Sequence, residues 1–258
     1  MDIFSFGPIA AILDGTYKLV TSLSAALDPV VGTASGLVAV VILTMLIRAV
    51  LIPVGMSQVR AEYTRRRLAP KLAELQRKHG KDRETLTRKT MELYKTEKAS
   101  PFAGMLPLLL QIPVISLVYA VFTHSMIAGH ANTLLTEHAF GAPLGTSFVG
   151  LSGAGAAVWP AMLVYLAVLL LIAVVMTVSR RVLALPVPDG QPQPTGIVRA
   201  VSFLPYVTVV FAAFVPLAAA VYILISAAWT VAERSILRRM LDPERKVSPG
   251  SIEPRPSH

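Results

Sequence analysis

The sequence predicts an all-α, polytopic membrane protein with five transmembrane helices, an N-terminal interfacial helix and a cytoplasmic helical hairpin. The chain of 258 residues is 54% hydrophobic and only 15% charged, and its apolar residues form several uninterrupted runs. A soluble domain of this size does not need such runs. The basic residues are also segregated, because positions 60–98 hold 13 of the 24 Lys and Arg and positions 124–157 hold none. This bias places the basic segments on the cytoplasmic side.

The first predicted span, residues 35–59, carries a single charge, Arg48, near its centre. A helix over residues 36–59 is roughly 36 Å long, which is enough to cross a bilayer. A guanidinium at mid-depth costs roughly 2.5–3.5 kcal/mol on insertion scales, so it must face a hydrated cavity or a counter-charge. No other apolar run holds an acidic residue at mid-depth, which favours the hydrated cavity. Thr44 and Gly55 lie four residues before and seven residues after Arg48, which places them on the same face of the predicted helix.

Residues 1–34 predict an extracytoplasmic amphipathic segment. The apolar start is too short to span, and it lacks the positive region of a signal peptide, so we expect no cleavage. The pattern from Pro8 to Leu27 favours a helix on the outer membrane surface. Asp14 and Lys18 are four residues apart in this helix and are predicted to pair.

Residues 60–100 predict a cytoplasmic helical hairpin. Pro70 favours a helix start, His79-Gly80 a helix end and Asp82 the N-cap of a second helix. The segment is either a solvated loop that only sets topology or a working surface for lipid headgroups, ribosomal RNA or a protein partner. Its predicted contact residues are Arg65, Arg66, Arg67, Lys71, Arg77, Lys78, Lys81 and Arg83.

The second and third spans are predicted at residues 101–123 and 158–178, with an extracytoplasmic loop over 124–157 between them. Pro107 and Pro113 in the second span require neighbouring helices or water to satisfy the freed carbonyls. The loop contains three histidines without the spacing of a zinc motif, and we predict no metal site from them: His124, His130 and His138.

The last apolar block, residues 197–232, would be roughly 54 Å long as one helix, which is too long for one span. One crossing would also leave the basic C-terminal segment outside. We therefore predict two short spans that turn near Phe214-Val215-Pro216, with a kink at Pro205. The resulting boundaries are 179–196 for the preceding cytoplasmic loop, 197–214 and 215–233 for the two spans, and 234–258 for a basic cytoplasmic tail.

The fifth predicted span carries a polar and aromatic stripe. Counted from Tyr222, the residues Ser226, Trp229, Thr230 and Glu233 follow at helical spacing on one face. Such a stripe either packs in the core or faces a substrate, and the pattern alone leaves both interpretations open.

Several motifs occur in an order typical of one family. The first span contains LIRAVLIPVGMSQ, and the hairpin and second span contain LAPKLAELQRKHGKDRETLTRKTMELYKTEKASPFAGMLPLLLQIPVISLVYAVF. The fourth and fifth spans contain FLPYVTVVFAAFVPLAAAVYILISAAWTV. With these motifs, the chain from about Gly36 to Met240 resembles the YidC/Oxa/Alb family of membrane protein insertases.

The resemblance implies five core helices around a hydrophilic groove that is open to the cytoplasm and to lipid but sealed outside. Arg48 matches the groove arginine of the family, and Gln111 and Trp229 match groove positions in the second and fifth spans. Together with the two polar stripes, the predicted substrate groove comprises Thr44, Arg48, Gln111, Tyr222, Ser226, Trp229 and Thr230.

The expected partners are nascent membrane proteins and the lipid bilayer, with the ribosome and the Sec translocon as further candidates. No DNA partner is expected, because all the basic residues except Lys18 and Arg48 lie in the predicted cytoplasmic segments. The expected location is the bacterial inner membrane, with the N-terminus outside and the C-terminus inside.

A hydrated groove with one fixed positive charge reduces the thickness of hydrocarbon that a short acidic segment must cross, and its charge attracts the carboxylates of that segment. This step makes and breaks no bond, and the sequence lacks GxxxxGK[ST], GxSxG and HExxH motifs, so we predict neither an enzyme nor a cofactor. The main alternative is a small-anion transporter or channel, which usually shows repeated halves. A lipid-modifying enzyme would need clustered acids, whereas Glu62 and Glu233 are single and are expected to flank helices.

Overall fold

A computed structural model describes residues 7–100, 116–127, 129–153, 159–182 and 203–241. This part of the chain is mostly helical and forms two compact units. The units are Met1–Ile52 with Pro107–Ala232, called unit 1, and Pro53–Leu106 with Glu233–His258, called unit 2. Several predicted features lie outside the described residues, namely Gln111, most of the second span, most of the loop 179–196, the start of the fourth span and the tail beyond Leu241.

Unit 1 begins with two antiparallel helices, α1 (Gly7–Val31) and α2 (Ser35–Val50). A 3-10 turn at Gly32–Ala34 joins them, and Gly32 adopts a φ of 56° that glycine reaches without strain. Next to this turn Ser24 Oγ lies 3.1 Å from Ser35 Oγ, so the two helices run back along each other. Further along, Thr16 and Val20 of α1 line the same small cavity as Val40 and Thr44 of α2, which confirms the return.

The predicted amphipathic helix in the N-terminal segment is confirmed as α1. Its apolar face enters the core of unit 1 through Leu13 and Val20, both of which are buried. On its polar face, Lys18 Nζ lies 2.7 Å from Asp14 Oδ2, which confirms the predicted pair.

The part of unit 1 around residues 126–152 contains two short β-hairpins and a short helix. The hairpins pair β1 (Met126–Ile127) with β2 (His130–Ala131) and β3 (His138–Ala139) with β4 (Ala142–Pro143), and α5 spans Phe148–Ser152. Residues 116–121 form a helical segment before them. Buried side chains from these pieces, including Phe122 and Leu144, join the core that α1 and α2 build.

Three further helices complete the described chain, α6 (Trp159–Val182), α7 (Leu204–Ala212) and α8 (Leu217–Leu241). The predicted turn near Phe214-Val215-Pro216 is confirmed, because the helix ends at Ala212 and the next one starts at Leu217. Pro205 was expected to kink the fourth span, but it lies in the first turn of α7. A proline is accommodated there because the first N–H groups of a helix have no intrahelical acceptor.

Within the residues that the structure describes, three helical stretches are long and apolar enough to cross a membrane, namely Gly7–Val50, which comprises α1 and α2, Trp159–Val182 and Leu217–Leu241. The outer face of α6 is covered with exposed apolar side chains, among them Leu163 and Leu170, which are 61% and 66% exposed. On α7, Val207 and Val210 are exposed in the same way. A surface of this kind fits lipid rather than water.

Unit 2 contains the predicted hairpin, built from α3 (Ile52–His79) and α4 (Arg83–Thr96). The predicted stop at His79 and the N-cap at Asp82 are confirmed, and Asp82 Oδ1 accepts a hydrogen bond from the Thr85 amide at 3.1 Å. The predicted helix start at Pro70 is wrong, because Pro70 lies inside α3. The chain instead breaks at Leu51, within the stretch that we expected to be one helix over residues 36–59.

The break at Leu51 has a local cause. Pro53 has no N–H to offer to the Ala49 carbonyl, and its ring crowds that carbonyl. Arg48 therefore lies in the last turn of α2, where a cation is favoured by the negative end of the helix dipole.

A half-buried carboxylate, which the sequence analysis did not identify, lies beside the turn between α1 and α2. Glu137 Oε2 lies 3.2 Å from Ser24 Oγ, and the carboxylate occupies the space where a side chain at Gly36 would stand. Burial raises the pKa of the Glu137 carboxyl, the Ser24 hydrogen bond partly opposes this, and the nearby charge of Asp28 raises the pKa further. Glu137 lines a cavity beside this turn, and His138 lines it too.

We predict that Glu137 makes the folded protein less stable as the pH rises. A raised pKa in the folded state means that folding favours the protonated form, so this stabilisation is present at low pH and is lost as the pH passes through the raised pKa. The Glu137→Gln variant should melt a few degrees higher than the parent at pH 7.5, and its melting temperature should change less with pH. Tryptophan fluorescence melting in detergent from pH 4.5 to 8 measures this, with the exposed Glu84→Gln as control. Equal profiles for the two variants would contradict the prediction.

Candidate functional site

The polar stripe of α8 is present in unit 1. Tyr222 and Ser226 are buried, whereas Trp229 and Thr230 are half-buried. Thr230 Oγ1 donates to the Ser226 backbone carbonyl at 2.8 Å, so this hydroxyl is used within the helix. Two buried polar atoms of the stripe, Ser226 Oγ and Trp229 Nε1, have no hydrogen-bond partner of normal geometry within the described part of the chain.

Arg48 belongs to the same unit as this stripe. Its guanidinium interacts electrostatically with the Tyr222 hydroxyl, which also faces Ser226. Arg48 itself is half-buried. The structure therefore brings together the end of α2 and the middle of α8, as a shared polar site within an otherwise apolar unit.

Thr44 has a different environment. It is 2% exposed, and its Oγ1 donates to the Val40 carbonyl at 2.6 Å. It lines a small apolar cavity together with Thr16 and Val20 of α1. The hydroxyl of Thr44 is thus engaged in its own helix, and its surroundings are those of a packed core.

Gln111, the remaining predicted groove residue, lies outside the described residues. Five of the predicted groove residues therefore lie on α8 or at the end of α2 in the described structure: Arg48, Tyr222, Ser226, Trp229 and Thr230.

Unit 2 contains a polar contact between α3 and the end of α8 that the sequence analysis did not identify. Glu62 Oε1 lies 2.8 Å from Arg238 Nη2, and Tyr63 donates to the Arg238 carbonyl at 2.8 Å. One turn earlier on both helices, Arg234 donates to Gln58 Oε1 at 3.0 Å. The two segments therefore run parallel, with contacts every four residues. Only the i, i+4 spacing within each helix could have indicated this pairing from the sequence.

Gly55 extends the same contact by another turn. Its missing side chain makes room for the Glu233 carboxylate, which a Cβ at position 55 would displace. We expected Glu62 and Glu233 only to flank helices; in the structure they join α3 to α8.

The predicted contact residues of the hairpin divide into two groups. Four of them hold acids of the same chain: Arg66 with Glu62, Arg67 and Lys71 with Glu97, and Lys78 with Glu74. The other four are Arg65, Arg77, Lys81 and Arg83, which have no acidic partner within the described ranges. The hydrogen bond from Lys71 lowers the pKa of the Glu97 carboxyl, with Arg67 adding to the effect.

In the described residues, no group of three or more His, Asp or Glu side chains is arranged to hold a metal ion. The histidines of residues 124–138 lie apart from the stripe of α8 along the chain, and His130 and His138 belong to separate β-hairpins.

The apolar helices, their exposed lipid-type faces and the polar site among them define a polytopic helical membrane protein. The family model described as 60Kd inner membrane protein matches residues 27–244, which is most of the sequence. The chain belongs to this family.

Similar proteins include the membrane protein insertase YidC of Allorhizobium ampelinum, which is 41% identical over 116 residues, or 45% of this chain and 19% of that protein. The membrane protein insertase YidC of Methylobacillus flagellatus is 42% identical over 98 residues, or 38% of this chain and 18% of that protein. The protein of the same name from Shewanella sp. (strain W3-18-1) is 38% identical over 101 residues, or 39% of this chain and 19% of that protein. The match therefore spans about a fifth of the length of these relatives.

Proposed function

We propose that this protein is a membrane protein insertase and chaperone that admits nascent membrane proteins through a hydrophilic, cytoplasm-open groove with Arg48 at its centre. The observation that carries the proposal is the half-buried Arg48 at the end of α2, in an apolar unit that also contains the buried polar stripe of α8. A charged group kept inside an apolar unit is costly, and its presence there marks a functional site. The similarity to proteins named membrane protein insertase YidC supports the same function.

The proposed groove is lined by Arg48, Gln111, Tyr222, Ser226, Trp229 and Thr230, with Thr44 one turn from Arg48. The buried Trp229 Nε1, which has no hydrogen-bond partner within the described part of the chain, supports hydration, because buried polar atoms are normally bound by protein or water. Water at this depth would let a hydrophilic segment enter part of the bilayer without losing its whole hydration shell.

Insertion would then proceed by electrostatics and burial alone. The positive charge of Arg48 attracts the carboxylates of a short acidic terminus, and this attraction is stronger where the dielectric constant is low. The apolar segment that follows passes into lipid, driven by roughly 25 cal/mol per Å² of buried apolar surface. No covalent step is involved, so the proposed function is not that of an enzyme and needs no cofactor.

The proposed topology has five spans, with the N-terminus outside and the C-terminus inside. The concentration of Lys and Arg after α2, with Arg180 and Arg181 in the last turn of α6, supports this orientation. α1 packs back along α2, and its charges at Asp14, Lys18 and Asp28 favour the membrane surface over the hydrocarbon core. The Gly7→Cys label described below distinguishes a surface position from a crossing.

The function is tested with the purified protein in proteoliposomes that receive a newly synthesised single-span protein with a short acidic N-terminus. We expect the translocated terminus to become protected from added protease only when the protein is present. Liposomes without protein control for spontaneous insertion. Unprotected substrate, combined with a chloride or phosphate flux that the protein confers, would identify an anion transporter instead.

The topology is tested by single cysteines, since the natural chain has none. Gly7→Cys and His130→Cys should label from outside intact cells, and Lys81→Cys only after permeabilisation. Gly7 suits this purpose because a Cβ there meets nothing within 4 Å. If Gly7→Cys instead labels like Lys81→Cys, α1 crosses the membrane and the five-span proposal is wrong.

A further inference from the structure

The base of the cytoplasmic hairpin contains a cavity of about 330 Å³ that the proposed insertion mechanism does not use. One wall is a single face of α3 that includes Ser57, Arg60 and Thr64. The opposite wall is the end of α4 and the residues after it, with Tyr94 and Lys98. All of these residues belong to unit 2.

The lining of this cavity is strongly basic. Arg60, Arg65, Arg67 and Lys98 contribute positive charges, and Glu97 is the one acid that lines it. Glu97 is already held by Arg67 at 3.1 Å and by Lys71. Within the described residues, Arg60, Arg65 and Lys98 have no acidic partner, and all three side chains are exposed. Their N–H donors are therefore available to an anion.

Lys98 occupies a conformation that a lysine adopts at a cost. Its φ is 50°, in the left-handed region that usually holds glycine at the end of a helix. The Ala99 amide donates to the Tyr94 carbonyl at 2.9 Å, which closes the end of α4 and turns the chain at Lys98. Glycine would fit this position without strain, so a lysine here places a charge at the cavity at the expense of local stability.

The cavity lies where the chain leaves and re-enters the membrane in the proposed topology. Residues 57–67 begin at the cytoplasmic end of the first span, and residues 94–100 directly precede the second span. Both walls are thus tied to helices that end at the depth of the lipid headgroups. A site at the tip of the hairpin would suit RNA or a soluble partner better.

From this position and charge we propose that the cavity binds the phosphate group of an anionic phospholipid of the inner leaflet. Arg60 and Arg65 donate to the phosphate oxygens, Lys98 contributes charge from the opposite wall, and the hydroxyl of Ser57 faces the remaining headgroup. The Thr64 hydroxyl lines the cavity but donates to the Arg60 carbonyl at 3.0 Å. The inference rests on the proposed five-span topology, but not on insertase activity.

The test uses the full-length protein purified in a neutral detergent and titrated with dioctanoyl phosphatidylglycerol, with binding followed by native mass spectrometry and by the shift in melting temperature. We expect saturable binding that inorganic phosphate and dioctanoyl phosphatidylcholine do not reproduce. The double variant Arg60→Ala/Arg65→Ala should bind roughly thirtyfold more weakly, since each basic residue near an anionic lipid contributes about a fivefold gain.

The matched control is Lys81→Ala/Arg83→Ala, which removes two exposed charges at the tip of the same hairpin and should bind lipid like the parent. Lys98→Gly is the second variant, and it should melt at a higher temperature without lipid yet bind the lipid about fivefold more weakly. If Lys98 had only a structural role, Lys98→Gly would change the melting temperature without weakening lipid binding.

Equal losses in the two double variants would show non-specific charge attraction and overturn the proposal. Full binding of inorganic phosphate, or weaker ribosome binding in Arg60→Ala/Arg65→Ala with unchanged lipid binding, would also overturn it. Because no substrate is present in these measurements, a failure of lipid binding leaves the proteoliposome insertion result unaffected, and the two proposals fail separately.

Discussion

Deletion of residues 71–95 is expected to abolish insertion, whereas truncation of the chain after Asp242 should leave most of the activity. The hairpin segment carries 13 basic residues between positions 60 and 98, against six after Glu233. In the hairpin, 11 of these 13 stand on two helices, α3 and α4, which present them in fixed register, and the other two are Lys81 and Lys98. The measurement is insertion of a single-span substrate in cells depleted of the natural protein, with membrane levels of each variant determined in parallel.

The deletion also removes Lys71, a partner of Glu97, so a variant that keeps the scaffold is required. Replacing Arg77, Lys81 and Arg83 by Gln removes three charges without breaking a described ion pair. We expect this triple variant to lose several-fold of its insertion activity, because these side chains are available to a partner such as the ribosome.

The matched control replaces Arg66, Lys78 and Lys89 by Gln, which removes the same charge from residues already paired with acids of the chain. Exposed ion pairs contribute only about 0–1 kcal/mol each, so the fold should tolerate this change. If the control and the test variant lose the same activity, the overall charge of the hairpin matters and not a contact surface. If the tail truncation is the more damaging of the two deletions, the hairpin is not the main contact surface.

The elements that the sequence predicted correctly are those set by short-range chemistry. Asp82 caps α4 through its own Thr85 amide, and Asp14 and Lys18 pair within one turn of α1. The break between α7 and α8 follows from the length of the apolar block and from Pro216. Each of these features depends on residues within a few positions of one another.

The effect of a proline is not fixed by its local sequence, because a proline can end a helix, lie inside one or occupy its first turn. Pro53 ends α2 at Leu51, Pro70 is accommodated inside α3, and Pro205 lies in the first turn of α7. Which outcome occurs depends on whether neighbouring contacts hold the helix together. For Pro70, α3 continues to His79, and the pairs that Arg67 and Lys71 form with Glu97 flank the proline on both sides.

The contacts between distant segments could not be predicted from the sequence alone. Glu137 meets Ser24 across 113 residues, and Arg238 meets Tyr63 across 175. Nothing in the local pattern of Glu137 distinguishes it from a solvated loop acid. The same holds for Thr44, which shares the helix side of Arg48 in sequence but is engaged with Val40 and packed near α1 in the structure.

Substitution of Arg48 should have the largest effect of any single residue, and the effect should depend on charge. Arg48→Lys keeps the positive charge and should retain much of the activity, although it loses the planar fork of the guanidinium. Arg48→Gln keeps hydrogen-bonding capacity without charge and should fail with acidic substrates. Two unit charges about 5 Å apart interact by about 3 kcal/mol at an effective dielectric constant of about 20, which corresponds to a loss of up to roughly a hundredfold.

The measurement is insertion of a substrate series whose translocated segment carries zero to four carboxylates, with the melting temperature of each variant in detergent. Arg181→Gln is the matched control, since it removes one exposed positive charge at the end of α6 and should leave the series unchanged. For Arg48→Gln we expect a loss that grows with each added carboxylate, while the neutral substrate is spared.

A structural role for Arg48 makes the opposite prediction. Its interaction with Tyr222 would then be part of the packing between α2 and α8, and Arg48→Gln would lower the melting temperature and impair every substrate equally. A third result is also decisive: if insertion of the whole series is unchanged in Arg48→Gln, hydration around Ser226 and Trp229 suffices and the charge is not needed. Only a loss graded by substrate charge, at an unchanged melting temperature, agrees with electrostatic attraction as the task of Arg48.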